Sequence, residues 1–363
     1  MALIEASIVL SPWGVKENET IEVDAPHDMY FDVVVTPGFS DAHAHPQVID
    51  VGSDANRKWN HSYEWLHGRR LRIDEASLRM DLELSSNLAK ATLLKSLFDG
   101  VTMIALTGNF EANFKAVREL GLTPRVNLTP TVMDKRGWST PEKVFVDYMT
   151  NISQWDGYYR VGFFVHSLRM ANRSHIVSSF KISKKLGLAL ALHLSEGVDE
   201  VEELVNIVGD ARDIVAIHCI EKPEKCRRYG LKIVHCPLSN LYLFGKTIRG
   251  LEYFDALGSD WPLVTGTLRE AYLAATRIHG KSLTLLEKAS LGGYRVFDMP
   301  WDGDFIAFTG KVDDVLSGKV RPDYVFVKGK PVIVEREHKG LTLRDIERFA
   351  REQIRIAFEK YGK

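Results

Sequence analysis

The chain has 363 residues, of which 45% are hydrophobic and 26% are charged, and its formal net charge is −1. These values are typical of a globular protein and exclude a disordered chain, a collagen and a coiled coil. The length fits about two domains, or one α/β barrel of about 250 residues with an accessory part, and the near-zero charge provides no basic field for nucleic acid.

Cysteines and targeting signals give little indication of an extracellular protein. The three cysteines, Cys219, Cys226 and Cys236, lack C-x-x-C spacing and cannot form a disulfide framework. The first apolar stretch follows no basic residues and is interrupted by Glu5 and Ser7, unlike a signal peptide. No run of about 18 apolar residues predicts a membrane-spanning helix. We therefore expect a cytoplasmic protein with no nucleic-acid or membrane partner.

Strand-like and helical patterns alternate through most of the chain. Strands are predicted at 3–10 and 20–24, followed by a continuously apolar one at 32–39. Seven further apolar runs lie at 101–106, 125–131, 159–165, 188–194, 213–219, 231–236 and 253–259. Helical segments such as 84–100 and 197–209 separate them. Counted from residue 32, eight strand candidates with helical connections predict a closed (β/α)8 barrel; a doubly wound open sheet is the alternative.

The pattern returns to β near the end of the chain. Strands are predicted at 304–310, 323–329 and 331–336, followed by an amphipathic terminal helix. One interpretation joins these strands to the N-terminal ones in an accessory β-sandwich. The predicted organisation is then sandwich strands at 1–31, an α/β (β/α)8 TIM-like barrel at 32–300, and the remaining sandwich strands with the terminal helix at 301–363.

The sharpest local motif is the pair His43 and His45 in TPGFSDAHAHP, 36–46. In an extended chain residues i and i+2 point to the same side, so both imidazoles can reach one metal ion. Two surface histidines in a turn before Pro46 are the alternative. Barrel active sites lie at the carboxyl ends of the strands, and this position favours the metal site.

Other histidines occupy comparable positions. Six of the twelve histidines lie at predicted strand ends: His43, His45, His166, His193, His218 and His235. Asp260 directly follows the eighth candidate strand. Imidazoles with a carboxylate suit zinc or ferrous iron and leave a coordination position open for water.

A set of motifs then resembles a known family. The motifs are PGFSDAHAH, HLSE with its His193-x-x-Glu196 spacing, the pair His218–Cys219, HCPLSNLYL at 235–243 and LGSD ending at Asp260. In this order, over about residues 1–335, they resemble the amidohydrolase superfamily, and within it the branch of cytosine deaminase, adenosylhomocysteine deaminase and chlorohydrolases.

The resemblance implies roles for individual residues. His43, His45, His193 and Asp260 would bind one divalent metal, zinc ahead of iron. His218 would orient the water or the substrate, Glu196 would carry a proton to the ring nitrogen and the leaving group, and Asp260 could share in proton transfer. His166 matches a position that contacts substrate. The strand segment YYRVGFFV contains no lysine to hold a second metal.

Several of these residues have ordinary structural alternatives. Glu196 could be an acid in the first turn of helix 197–209, and His218 could be a hydrogen-bonded core histidine. His235 is left out of the metal set, and Ser239 and Asn240 are expected to form a turn. Cys219 and Cys236 alternate with histidines and are expected to point away from the site.

Residues between His45 and helix 84–100 are expected to cover the barrel mouth. They provide Trp65, which could stack on a heterocycle, and Arg69, which could pair with a carboxylate or phosphate. A solvated helix with incidental cations is the alternative.

The sequence predicts a metal-dependent hydrolase, most simply a hydrolytic deaminase of a small amino-substituted N-heterocycle of the purine or pyrimidine kind. Hydrolysis of a cyclic amide as in imidazolonepropionase, displacement of another leaving group as in the chlorohydrolases, and an inactive barrel used for binding remain the alternatives. The exact substrate and the oligomeric state stay open, a homo-oligomer included.

Overall fold

A computed structural model describes residues 1–52, 57–135, 137–151 and 157–363. The chain opens with three strands, β1 (Ala2–Ser11), β2 (Gly14–Val23) and β3 (Met29–Val35). Strand β1 pairs antiparallel with β2 and parallel with β3.

Within the described ranges, eight parallel strand positions form the barrel, and one of them is split in two. In chain order they are β4 (Phe39–Ala44), β5 (Val101–Gly108), β6 (Arg125–Val132), β7 with β8 (Tyr159–Val161 and Phe163–Val165), β9 (Leu190–Leu194), β10 (Val215–His218), β11 (Lys232–His235) and β12 (Ala256–Leu257). The last strand returns to the first through a parallel bridge between Ala44 and Asp260, which closes the barrel.

Helices connect these strands and surround them. They are α1 (Ser62–Gly68), α2 (Glu75–Met80), α3 (Leu82–Phe98), α4 (Phe110–Leu120), α5 (Pro141–Asn151), α6 (Arg173–Leu186), α7 (Val201–Val208), α8 (Pro223–Arg228), α9 (Pro237–Phe244), α10 (Leu268–His279), α11 (Leu283–Ser290) and α12 (Gly292–Phe297). Many begin at a side-chain cap, as where Asn109 accepts from the backbone N–H of Ala112 and Asn172 from that of His175. Proline stands in the first turn of α8 and α9, where it costs no hydrogen bond.

The C-terminal part supplies β13 (Phe305–Phe308), α13 (Val312–Leu316), β14 (Tyr324–Val327), β15 (Lys330–Ile333), the short ribbon β16 (Glu337–His338) and β17 (Leu341–Thr342), and α14 (Leu343–Tyr361). Strand β13 pairs antiparallel with β3, so both ends of the chain share one accessory sheet in the order β15-β14-β13-β3-β1-β2. The predicted fold class, a (β/α)8 barrel with an accessory β part from both termini, is confirmed. The layer against the accessory sheet is the barrel with its helices rather than a second large sheet.

The first barrel strand differs from the predicted one. Residues 32–39 were expected to open the barrel, but β3 lies in the accessory sheet and the barrel begins at β4. The apolar run is misleading because β3 is buried on both faces: Val33 and Val35 face the barrel core, and Val34 faces the outer core of the accessory sheet. The domain limits 1–31, 32–300 and 301–363 stay predictions, and β3 crosses the first of them.

A buried ion pair joins the barrel to the accessory part. Arg125, at the start of β6, is almost fully buried, and its Nε donates to Asp304 Oδ2 at 2.7 Å. Its other nitrogens donate to the carbonyl oxygen of Gly157 and to Asp302. A buried guanidinium with this many acceptors fixes where the β13 edge lies against the amino ends of the barrel strands.

Candidate metal centre and active site

Four side chains from strand positions one, five and eight converge at the carboxyl end of the barrel. The Nε2 atom of His193 lies 3.1 Å from that of His43 and 3.4 Å from that of His45. Asp260 Oδ1 lies 3.5 Å from the Nε2 atom of each of the first-strand histidines. One ligand atom from each of the four residues lies within 4.8 Å of all the others, an arrangement that one ion can bridge.

Hydrogen bonding orients His45 toward this cluster. The hydroxyl of Thr107, at the end of β5, donates to the carbonyl oxygen of Ala44 at 3.1 Å. The same oxygen lies 2.8 Å from Nδ1 of His45. Because a hydroxyl has one proton, Nδ1 must be the donor to Thr107, and Nε2 keeps its lone pair toward the other histidines. A metal-binding histidine commonly has such a partner on its second nitrogen.

The backbone holds Asp260 against the first strand. Its N–H donates to the carbonyl oxygen of His43 at 2.9 Å, and its carbonyl oxygen accepts from the N–H of His45 at 2.7 Å. Asp260 has a φ of 64°, in the left-handed region that few non-glycine residues adopt. Backbone strain of this kind is found at sites where a side chain must be aimed.

The electrostatics of the cluster favour a cation. Burial lowers the pKa of His43, His45 and His193, so the imidazoles are neutral and can act as ligands. Burial alone would raise the pKa of Asp260, but the hydrogen bond from His43 and the neighbouring imidazoles outweigh it and lower this pKa. The buried Oδ2 atom of Asp260 has no hydrogen-bond partner among the described residues. An orphaned carboxylate oxygen beside three neutral imidazoles fits a divalent metal.

Glu196 and His218 lie beside this cluster. Glu196 Oε1 is 3.6 Å from Nε2 of His218, and that nitrogen is 4.0 Å from Asp260 Oδ2. Glu196 is 6% exposed, and burial raises its pKa to about 7. A carboxyl group of this pKa can both give and take a proton near neutrality. Helix α7 begins at Val201, so Glu196 stands in the loop after β9 and is not an acid of the first helical turn.

Asn240 fixes the orientation of His218, a role that the sequence did not indicate. Its Oδ1 lies 2.8 Å from Nδ1 of His218, and its Nδ2 donates to Thr247 Oγ1. His218 therefore donates from Nδ1 and directs Nε2 toward Glu196. The residue was expected to form only a turn; its position near the start of α9, directly after the seventh barrel strand, was the available signal.

Close packing against Gly197 brings the segment after β4 up to Glu196. Gly197 has a φ of 90°, and a Cβ there would lie 2.3 Å from the carbonyl oxygen of Asn60. This contact lets the backbone N–H of Ser62 donate to the carbonyl oxygen of Glu196 at 3.0 Å. Only glycine permits both the left-handed backbone and this approach.

Above the cluster lies a cavity of about 420 Å³, large enough for a small heterocyclic molecule. His45, His193, Glu196, His218 and Asp260 line it, as do the predicted substrate-binding residues His166, Trp65 and Arg69. The segment expected to cover the barrel mouth does contribute α1 and α2 to the cavity wall; its residues 53–56 lie outside the described ones.

The three predicted substrate contacts differ in their freedom to bind a ligand. The ring of His166 packs 5.0 Å from that of His193, and burial lowers its pKa to about 3. Trp65 donates from its indole nitrogen to the carbonyl oxygen of Val51, and Arg69 is paired with Glu75 at 2.8 Å. All three line the cavity, and their contact with substrate stays a prediction.

Of the expectations for the seventh strand, the one for Cys236 is wrong. His235 faces outward, with its ring 4.8 Å from that of Phe254, which agrees with its omission from the metal set. Cys236 was expected to point away from the site but packs inside the barrel, and this expectation is wrong. Side chains alternate along a strand, so an outward His235 places Cys236 inward. Cys219 does point away, toward Cys226 in the outer core.

His218 departs from the same alternation. Ile217 belongs to the core inside the barrel, so an ideal strand would turn His218 outward. Its φ of 77° turns the chain and brings the ring back to the site. The strained backbones of His218 and Asp260 have no signature in the sequence.

These features define a class of protein: a (β/α)8 barrel with a His3Asp cluster and a buried carboxyl group beside it at the carboxyl ends of its strands. The amidohydrolase family pattern matches residues 34–332. The chain belongs to the amidohydrolase family, whose members are metal-dependent hydrolases. No curated protein sequence matches the chain. Among the described residues, no helix combines the length and apolar character needed to span a bilayer.

Solved structures share the fold over nearly the whole chain. A zinc-bound adenosine deaminase from Xanthomonas campestris has a TM-score of 0.78 at 18% identity, covering 99% of this chain and 98% of that one. An atrazine chlorohydrolase variant from Arthrobacter aurescens, in complex with zinc and atraton, has a TM-score of 0.76 at 16% identity, covering 98% and 100%. An amidohydrolase from Brucella melitensis has a TM-score of 0.74 at 19% identity, covering 99% and 100%. At these identities the similarity establishes the fold.

Proposed function

We propose that the protein is a hydrolytic deaminase of an amino-substituted N-heterocycle of the purine or pyrimidine kind. The observation that carries the proposal is the position of Glu196, a buried carboxyl group with a pKa of about 7, beside His218 at the base of the cavity. The adenosine deaminase and the chlorohydrolase of the same fold hold zinc, which supports the same metal here.

We propose one divalent metal, zinc ahead of iron, held by His43, His45, His193 and Asp260. Three neutral imidazoles and a carboxylate are a donor set that zinc accepts while keeping a position open. The split fourth strand contains no lysine that could hold a second ion. When bound, the metal supplies the Lewis acidity that lowers the pKa of a water from about 15.7 to about 7.

The three cysteines, which do not form a disulfide framework, support the predicted location in a reducing compartment, the cytoplasm.

The chain's own residues account for the proton movements. Water adds to the ring carbon that bears the amino group, forming a C–O bond, and the C–N bond then breaks. Glu196 can take one proton from the water and deliver it to the ring nitrogen. It can then take the remaining proton of the added hydroxyl, as the C=O bond forms, and pass it to the leaving nitrogen, so that ammonia rather than amide ion departs. General acid–base transfer of this kind typically contributes about 10²–10⁴-fold.

His218 and Asp260 restrict where the water and the substrate can lie. The Nε2 atom of His218 faces Glu196 and can form a hydrogen bond with either molecule. The Oδ2 atom of Asp260, which has no hydrogen-bond partner among the described residues, is a second acceptor, 4.0 Å from the same nitrogen. His166, Trp65 and Arg69 form the neighbouring walls, where we place the heterocycle.

The test is a substrate panel with the zinc-loaded protein. Aminopurines, aminopyrimidines and aminotriazines are assayed for ammonia release, and ring opening is followed by ultraviolet absorbance. We expect one ammonia for each substrate consumed and an intact ring. Ring opening would instead establish cyclic-amide hydrolysis, and chloride release from a chlorotriazine without ammonia would establish halide displacement. A zinc-loaded protein inactive on the whole panel would refute the deaminase proposal.

A further inference from the structure

One part of the cavity wall carries an excess of positive charge that the deamination chemistry does not use. It is formed by α1, α2 and the segment after β6, and it presents the cations Arg69, Arg79 and Lys135. Among the described residues, Glu75 is the one acid on this part of the wall. The other two carboxylates of the cavity belong to the metal cluster and the proton-transfer site.

Arg69 is already neutralised. Its Nη2 donates to Glu75 Oε2 at 2.8 Å, and its guanidinium lies 4.5 Å from the ring centroid of Trp65. The carboxylate of Glu75 is therefore engaged in an ion pair with Arg69. Among the described residues, neither Arg79 nor Lys135 forms an ion pair with a carboxylate, although Glu75 and Asp74 act on the charge of Arg79 from a longer distance.

Arg79 is held in place but has no direct ion-pair partner among the described residues. Its guanidinium lies 4.0 Å from the ring centroid of Trp138, another cavity residue. The backbone carbonyl oxygen of Arg79 accepts a hydrogen bond from the side chain of Asn109. The Nε atom is buried and has no hydrogen-bond partner in the described part of the chain. No carboxylate of the described residues lies within ion-pair distance of this guanidinium. A partly desolvated guanidinium with unused donors is a costly arrangement unless a ligand completes it.

Lys135 adds a second free charge at the same wall. It is exposed, and its Nζ forms no ion pair with any residue in the described ranges. The preceding acid, Asp134, is turned away, because its Oδ1 lies 2.6 Å from Nδ1 of His175 and accepts from Asn172 at 3.0 Å. In the described part of the chain, no carboxylate therefore competes with an anion in the cavity for Lys135.

We propose that the substrate carries an anionic substituent, a carboxylate or a phosphate, which Arg79 and Lys135 bind while the amino-substituted ring lies at the metal cluster. This inference rests on the proposed function and narrows its substrate class. A rigid guanidinium fork suits either oxyanion, and a neighbouring ammonium group adds charge without restricting geometry. The Trp138 ring under Arg79 keeps the fork oriented before the ligand arrives.

Two sets of probes test the proposal, and the compounds within each set differ only in the substituent at the 5′ position. They are adenosine, adenosine 5′-monophosphate and adenosine 5′-carboxylic acid, and the three corresponding cytidine compounds. Binding is measured by calorimetry with the zinc-loaded Glu196→Gln variant, and kcat/KM for ammonia release is measured with the zinc-loaded wild type. The charge-removing variants Arg79→Met and Lys135→Met are compared with Arg118→Met, which removes an exposed arginine of α4 outside the cavity.

In at least one set we expect an anionic member to bind about tenfold or more tightly than the neutral one, as charge-assisted hydrogen bonds provide. Arg79→Met and Lys135→Met should each lower the ratio of the affinity for the anionic member to the affinity for the neutral one, whereas Arg118→Met should leave this ratio unchanged. Comparison of the two anionic members then identifies phosphate or carboxylate. Lys135 is exposed, so its variant remains informative if Arg79→Met fails to fold.

Equal binding of neutral and anionic members in both sets overturns the inference. It is also overturned if neither variant changes the ratio, or if no anionic probe binds at about millimolar concentration. The two proposals fail separately. Preferential binding of an anionic probe without ammonia release refutes deamination and leaves the anion subsite standing, whereas ammonia release without any anionic preference refutes the subsite alone.

Discussion

The carboxylate of Glu196 lies 3.6 Å from the imidazole of His218; Glu196 follows strand β9, and His218 ends the adjacent strand β10. Strands β9 and β10 are parallel neighbours, so the residues that follow them emerge side by side. The pair is buried, yet neither residue is a member of the cluster proposed to bind the metal. The proposed proton transfer and the proposed metal binding can therefore be tested by separate mutations.

Glu196→Gln should abolish most turnover while zinc remains bound. The amide preserves the shape of the side chain but cannot take and return a proton, so we expect kcat to fall by about 10²–10⁴-fold. Ammonia release and zinc content per chain are measured together. Glu202→Gln, an exposed position on α7, is the control and should match the wild type. Near-normal activity of Glu196→Gln on a true substrate would show that another group transfers the proton.

His193→Ala and Asp260→Ala should lose zinc. Each removes one of four proposed ligands, and a carboxylate or imidazole lost from such a site cannot be replaced by its buried surroundings. His235→Ala is the matched control, because this histidine also ends a barrel strand but faces outward. Zinc bound to the folded state raises the melting temperature by mass action, so added zinc should raise Tm for the wild type and the control only. Retention of one zinc per chain by both ligand variants would contradict the proposed ligand set.

Asn240→Ala should lower kcat without removing zinc. The substitution removes the acceptor of the Nδ1 proton of His218, so the ring is no longer fixed with Nε2 toward Glu196. Loss of an orienting partner commonly costs about 10–100-fold in activity. Asn240→Asp keeps an acceptor and should recover part of the rate. Ser239→Ala is the control, because it removes a hydroxyl that donates to the carbonyl oxygen of Cys236 in the same turn. Ser239→Ala should match the wild type in kcat and pH profile. If Asn240→Ala matches it as well, the assignment is wrong.

Much of this architecture could be predicted because barrel strands have long apolar runs and place their chemistry at one end. His43, His45, His193 and Asp260 are recognisable from their positions after such runs, and the structure brings them together. The apolar run at β3 was misleading because that strand is covered on both faces without belonging to the barrel. The hydrophobic pattern of a sequence alone cannot distinguish a strand buried in the barrel from a strand buried in the accessory sheet.

Side-chain direction at the strand ends was harder to predict. His218 reaches the site through a left-handed backbone, whereas His235, in the similar sequence IVHC, follows ordinary alternation and faces outward. Arg79 and Lys135 gave no signal as cavity residues, because each is an ordinary charged residue in its local segment. Only the tertiary arrangement of α2 and the chain after β6 brings them to one wall.

Acid should weaken the attachment of the terminal helix through Asp81. Asp81 caps α3 by accepting from Leu84 N–H at 3.1 Å, and its other oxygen accepts from Lys360 and Tyr361 of α14 at 2.6 and 2.9 Å. Partial burial would raise the pKa of Asp81, but these hydrogen bonds outweigh it and hold the pKa below its usual value. A folded-state pKa below the unfolded one stabilises the fold above the unfolded pKa of about 3.9, and this contribution is lost as the pH falls through the folded value.

Asp81→Ala should therefore reduce the free energy of unfolding at about pH 7 by about 1–2 kcal/mol, the usual effect of removing a helix cap. The difference from wild type should shrink as the pH falls below about 3.9 and through the lower folded-state pKa of Asp81, below which the carboxylate is protonated in both states. Urea unfolding over a series of pH values from about 7 into this acid range measures it. Asp81→Asn keeps a capping oxygen, so it should lose mainly the pH-dependent part, and Asp213→Asn serves as an exposed control with one weak ion pair. A difference for Asp81→Asn that stays constant from neutral to acid pH would show that the charge of Asp81 does not stabilise the contact between α3 and α14.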